Sequence, residues 1–144
     1  MTHIPDDTLR IGRAFAARTL PKSEWTHTAH LHAALWAIHN HGDGAFTVMP
    51  DLIRGYNEAT GSANTATGGY HHTITLASLA AVRSCHGDLF ASPWAEQDWL
   101  LNHWSRELLF SPEARADWVG PDLAPLPFPG PPTRTAPPGP PGAP

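Results

Sequence analysis

Lysine and cysteine are nearly missing from this chain of 144 residues, and charge of either sign is sparse. Lys22 is the one lysine, arginines are scattered, and nine basic against 13 acidic side chains leave a net charge of −4. A protein that tracks nucleic-acid phosphates needs clustered cations, so no nucleic-acid partner is expected. Cys85 stands alone, which excludes an intramolecular disulfide and a cysteine-based zinc framework. Charged residues make up 15% of the chain, against about 25% in an average soluble protein. Even so, no apolar run reaches the roughly 18 residues of a membrane helix. The stretch from Met1 to Asp7 has neither the basic nor the apolar part of a secretory signal. A cytoplasmic protein with no membrane partner is the expectation. Strand patterning is scarce too: His72 to Leu76 is the nearest case, and it reads better within a helix.

What the chain has in quantity is proline and histidine, 16 and 10 residues. Eleven of the prolines fall between Pro121 and Pro144. Proline fixes φ and removes the amide donor, so this stretch is expected to be extended or disordered. Leu123, Leu126 and Phe128 give its first part something apolar to lay against a domain. The division expected is a helical domain over residues 1–120 and a Pro-rich tail over 121–144.

Inside the domain the punctuation is helical. Pro5-Asp6-Asp7 opens a first helix that stops near Leu20-Pro21. A second runs from Ser23 or Thr26 to Asn40, with Leu31, Leu35 and Ile38 at i, i+4, i+7. A third spans Val48 to Ala59 with Pro50 in its first turn. Gly68-Gly69 leads into a fourth, Tyr70 to Ser84. Ser92-Pro93 and Ser111-Pro112 each place a hydroxyl at the N-cap and proline at N1, predicting helices over 93–108 and 112–118. The fold class expected is all-α, a compact bundle of five or six helices.

His27 and His30 lie three apart on the second helix and so share a face. His71 and His72 open the fourth. Helices two and four are the most apolar of the set, which predicts that they pack centrally and bring these imidazoles together. Neutral imidazole suits zinc, iron and copper, and bundle cores build metal sites from facing helices. His27, His30 and His71 are therefore the expected metal ligands, with His72 as fourth ligand or acid/base group. Capped or hydrogen-bonded core histidines are the competing explanation of the same spacing. Glu58 at the end of the third helix is the best-placed carboxylate for a ligand or general base, against an ordinary solvated helix-end acid. Tyr70 is a catalytic candidate by position, Thr75 a partner one turn after His71. A pocket lined by Trp25 and Trp36 fits beside the imidazoles. His103, on a Trp-rich segment, reads as a packed histidine.

The segments Trp25-Thr26-His27-Thr28-Ala29-His30-Leu31 and Gly69-Tyr70-His71-His72-Thr73-Ile74-Thr75, with Tyr56-Asn57 and Asn64-Thr65 between them, resemble a family of small bacterial proteins of uncharacterised activity. Ser111-Pro112-Glu113-Ala114-Arg115 and Trp118-Val119-Gly120-Pro121-Asp122-Leu123 are similar to the way those proteins end. The resemblance covers about residues 20–127. His27, His30, Tyr70, His71 and Thr73 match the pattern position by position. His72 departs from it, standing where the family carries glutamate. With imidazole there, the first shell would be all-nitrogen, less like a two-His, one-carboxylate iron centre and more like zinc or copper.

The function expected from these residues is a metal-dependent enzyme acting on a small organic substrate by hydration, elimination, cyclisation or oxidation. The GC-rich, actinobacterial style of the composition suits a tailoring step in specialised metabolism. A non-catalytic metal- or small-ligand-binding module is the alternative. The expected cofactor is a divalent transition metal (Zn, Fe or Cu), the expected partner a small-molecule substrate, with a homodimer allowed.

Overall fold

The computed structural model describes residues 4–132. Those residues form an all-α bundle, as the helical periodicity predicts, with no strand among them. Four helices make its body: α1 Asp6–Ala16, α2 His27–His41, α3 Ala45–Ala59 and α4 His72–Ser84. Two short ones follow, α5 Arg106–Leu109 and α6 Pro112–Ala116.

Each helix begins for a reason legible in its first residues. Asp6 and Asp7 set negative charge against the N-terminal dipole of α1. Thr26 caps α2, its hydroxyl accepting from the Ala29 amide at 3.2 Å. The cap of α4 is an imidazole: Nδ1 of His71 accepts from the Ile74 amide at 3.2 Å, so the helix starts at His72 rather than Tyr70. Helix α3 starts at Ala45, three residues before the expected Val48, because a 3-10 turn over Gly42–Gly44 feeds it directly and buries Ala45 and Met49. Pro50 consequently sits deeper than the first turn and leaves one carbonyl of α3 without its amide partner.

The expected helix over 93–108 is not formed. Pro93–Ala95 and Trp99–Asn102 are 3-10 turns, and only Arg106–Leu109 is α-helical. The tryptophans explain the breaks. Trp94, Trp99 and Trp104 recur every five residues, which on one α-helix would splay them about 140° apart. Broken into turns, the segment sends all three inward, with Trp99 and Trp104 buried and Trp94 half-buried against both core clusters. Ser92 and Ser111 do cap their starts, accepting from the Trp94 and Ala114 amides at 3.2 Å each. The first start yields a single turn, the second α6.

The core has two parts that share α4. Ile11, Phe15, Leu31, Met49 and Tyr56 pack with Leu76, Leu79 and Val82 on one side of it. Ala77 and Ala81 on its other side meet Trp99, Leu100, Trp104 and Leu109. A helix buried from both sides reads apolar all round, which is why α4 lacks a clean polar face. Helix α1 lies so close to α2 that a Cβ on Gly12 would overlap the Trp36 ring.

The folded unit runs past the expected boundary at residue 120. Leu126 and Phe128 pack on the tryptophan cluster, Phe128 edge-on to Trp94 at 5.2 Å between ring centroids. Leu123 is the exception, 60% exposed. The Leu123 amide donates to His103 O at 2.8 Å, and Asp122 takes both the amide and the hydroxyl of Ser105 at 2.7 Å. Arg83 donates to Pro129 O and Gly130 O at 3.2 and 2.7 Å. Proline forbids a helix here but leaves every carbonyl free to accept, and these carbonyls are what Arg83 holds. Half of the expected tail over 121–144, residues 133–144, lies outside the described residues.

Candidate ligand pocket

A pocket of about 480 Å³ opens between α2, α3, α4 and the turns that replace the expected fifth helix. Leu31 and Ala34 of α2, Met49 and Ile53 of α3, and Ile74 and Leu79 of α4 form its apolar walls. Leu100, Leu101, Leu109 and the exposed Phe110 close it from the later segment. Its polar groups are few: His27, His30, Thr75, Ser78, Gln97 and Asp98.

His27 and His30 are brought together here, as their spacing predicts. The Thr26 cap fixes the first turn of α2, and that turn sets both imidazoles on the pocket wall. The His30 ring lies 3.9 Å from the Trp25 indole, centroid to centroid, and Trp25 in turn stacks on Phe15 at 4.7 Å. His30 keeps accessible surface, and the wall it belongs to is the pocket's. The residue is exposed on that wall, and desolvation by the protein packed against it, followed by the charge of the neighbouring His27 side chain, pushes its pKa down to about 4. At neutral pH it is an uncharged imidazole. Nε2 of His27 is buried and has no hydrogen-bond partner.

His71 is not brought to that pair. Its Nε2–H donates to Leu109 O at 2.6 Å while Nδ1 accepts from the Ile74 amide. Both ring nitrogens are thus committed to backbone, and burial lowers its pKa. The expected triad of His27, His30 and His71 is not assembled; among the described residues no group of three or more His, Cys, Asp or Glu is placed to hold a metal ion. Two imidazoles on one helical face remain. His72 turns to Tyr70, whose hydroxyl lies 2.7 Å from its Nδ1, and Arg54 sits over the Tyr70 ring at 4.2 Å. Burial pushes the Tyr70 phenol up to about 12, so it stays protonated. Glu58 is exposed at the end of α3. None of Glu58, Tyr70 and His72 lines the pocket, nor does Trp36, which packs on Gly12 and His41 instead.

The segment from Gly69 to Thr75 is a staple between the two halves of the chain. Asn64 Oδ1 accepts from Asn57 Nδ2 and from the Tyr70 amide, both at 3.0 Å. Gly69 has φ +79°, and a Cβ there would strike Ala63 O. Arg115 of α6 donates to Gly69 O at 3.1 Å and Tyr70 O at 3.3 Å. Thr73 donates to Asp117 O at 2.7 Å and accepts from the Val119 amide at 3.1 Å. Thr75 closes on His71 O at 2.8 Å. Arg115, Asp117 and Val119 are therefore the other half of this staple.

Sequence reasoning missed Ser78, Gln97 and Asp98. Ser78 follows Thr75 by three and Ile74 by four on the same face of α4, a signal within reach. Gln97 and Asp98 were hidden inside an expected helix. The buried Thr8–His32 pair, 2.7 Å between Oγ1 and Nδ1, left no pattern to find. Comparison of the chain with protein-family models, with curated proteins and with solved structures finds no match. No helix of the described residues is long and apolar enough to cross a membrane.

Proposed function

We propose that the protein binds a small, largely apolar organic molecule in this pocket, with His27 and His30 as its polar anchors. The observation that carries the reading is the unpartnered Nε2 of His27 beside an accessible, uncharged His30 in a largely apolar wall. A buried polar atom without a partner costs about 1–3 kcal/mol, and folded proteins keep few of them. Such an imidazole is retained at little cost if a bound molecule supplies the hydrogen bond. The pocket's 480 Å³ falls inside the roughly 300–1,000 Å³ of small-molecule sites.

Binding is favoured over turnover by the same groups. General-base catalysis works best with a pKa near the operating pH, and His30 lies well below it at about 4. The metal-dependent reaction expected from the sequence needed a third imidazole, and His71 is spent on Leu109 and Ile74.

Calorimetric titration with naphthol, a two-ring molecule of suitable bulk, tests the reading. The wild type should bind it at one saturable site. Ser78→Trp, which fills the pocket from α4, should fold and lose that site. Equal binding by the two proteins, or none by the wild type, would overturn it.

A further inference from the structure

We infer that the pocket selects an uncharged molecule carrying a hydroxyl group and excludes organic anions; this rests on the binding reading above and narrows it. The lining makes the argument. Among the described residues no lysine or arginine faces the pocket, and its one formally charged side chain is Asp98. Arg54, next in sequence to Ile53, is engaged over the Tyr70 ring, and Arg115 donates to the Gly69 and Tyr70 carbonyls. A carboxylate or phosphate entering here would leave water with no counter-charge and would meet a like charge at Asp98.

A cation fares little better. Asp98 is exposed, so solvent screens its charge to an effect of about a few-fold on a ligand of either sign, and the buried walls are Leu31, Met49 and Leu79. An ammonium group drawn past Asp98 would lose its hydration without a buried carboxylate to replace it. An uncharged hydrocarbon body meets no such cost.

The hydroxyl follows from the chemistry of neutral imidazole. A neutral ring offers one N–H donor and one bare acceptor nitrogen, and a hydroxyl both donates and accepts. It can therefore pair with a ring nitrogen of His27 or His30 that faces the pocket, whichever tautomer is present. A purely accepting group such as an ether or ketone serves only half of those states.

Four probes of one ring system separate the outcomes at neutral pH: naphthalene, naphthol, naphthoate and naphthylmethylammonium. Naphthol should bind the wild type about tenfold more tightly than each of the others, the scale of one hydrogen bond made in place of an unpaired group. In a His27→Leu/His30→Leu variant, naphthol should fall to the affinity of naphthalene. Asp98→Asn, a change at an exposed turn that leaves the core intact, should narrow the gap between naphthol and naphthoate by a few-fold. Naphthoate or the ammonium binding as tightly as naphthol would overturn the selection while leaving the pocket reading standing. An unchanged gap in Asp98→Asn would contradict the charge argument. Binding of none of the four would remove the pocket reading and this inference with it.

Discussion

Two histidine pairs open two central helices, and the chain uses them in opposite ways. At the start of α4, His71 spends both ring nitrogens on backbone, and His72 pairs with the Tyr70 hydroxyl. At the start of α2, a threonine does the capping, and His27 and His30 are released to the pocket wall. The difference lies in the residue before each helix. Thr26 satisfies the Ala29 amide in the first turn of α2 with its own hydroxyl, whereas α4 has no Ser, Thr, Asp or Asn at the cap and recruits an imidazole. Whether a histidine is free for chemistry was decided one residue upstream of the motif.

The sharpest way to break the comparison is His71→Ala. It removes the α4 cap, worth about 1 kcal/mol, and strips Leu109 O of its partner, worth a further ~1–3 kcal/mol. The melting temperature should drop by about 10 °C at the usual scaling for a domain of this size, with the loss smaller in His71→Asn, which can cap but not reach Leu109. The equivalent His27→Ala and His30→Ala changes should each move it by only a few degrees. A drop in His30→Ala as large as that in His71→Ala would erase the contrast.

Thr73→Val comes next. It keeps the shape of the side chain and loses the hydrogen bonds to Asp117 O and the Val119 amide. Destabilisation of about 1–3 kcal/mol is expected, read as a lower denaturant midpoint at unchanged slope.

Acid sharpens the contrast further. His30 and His71 both have pKa values below the ordinary 6.5 in the folded state, chiefly through burial. The unfolded chain therefore binds more protons below that value, and stability should fall as pH drops from about 6.5 towards 4. His30→Gln should flatten part of that fall. A stability profile flat over this range in the wild type would contradict the assignment of neutral rings to His30 and His71.

The smallest effect concerns metal. With His71 held by backbone, the melting temperature should not change on dialysis against a chelator. A chelator-induced loss of several degrees would restore the three-histidine reading.

The elements that could be read from sequence were those written in local signals. Asp6-Asp7, Thr26 and the two Ser-Pro pairs each mark a real start, and the apolar character of α2 and α4 placed them at the centre. The i, i+3 spacing of His27 and His30 put them correctly on one wall. What failed to show was everything set by partners distant in sequence. His71 meets Leu109 across 38 residues and Thr73 meets Asp117 across 44, so a pattern of histidine and threonine that suggests a metal centre is here a tertiary staple. The same blindness turned three tryptophans five residues apart into one helix, although their common burial requires the chain to bend. In Pro121 to Gly130 the apolar Leu126 and Phe128 do lie against the domain as their character suggests, whereas the carbonyls that Arg83 holds carry no signal in sequence.

The naphthol affinity of two variants, His30→Leu and His71→Asn, measured at a temperature where both are folded, tests the division of labour most directly. Loss of about tenfold or more in His30→Leu, with His71→Asn within about twofold of the wild type, is the predicted result. Equal weakening in the two, or weakening in His71→Asn alone, would contradict it.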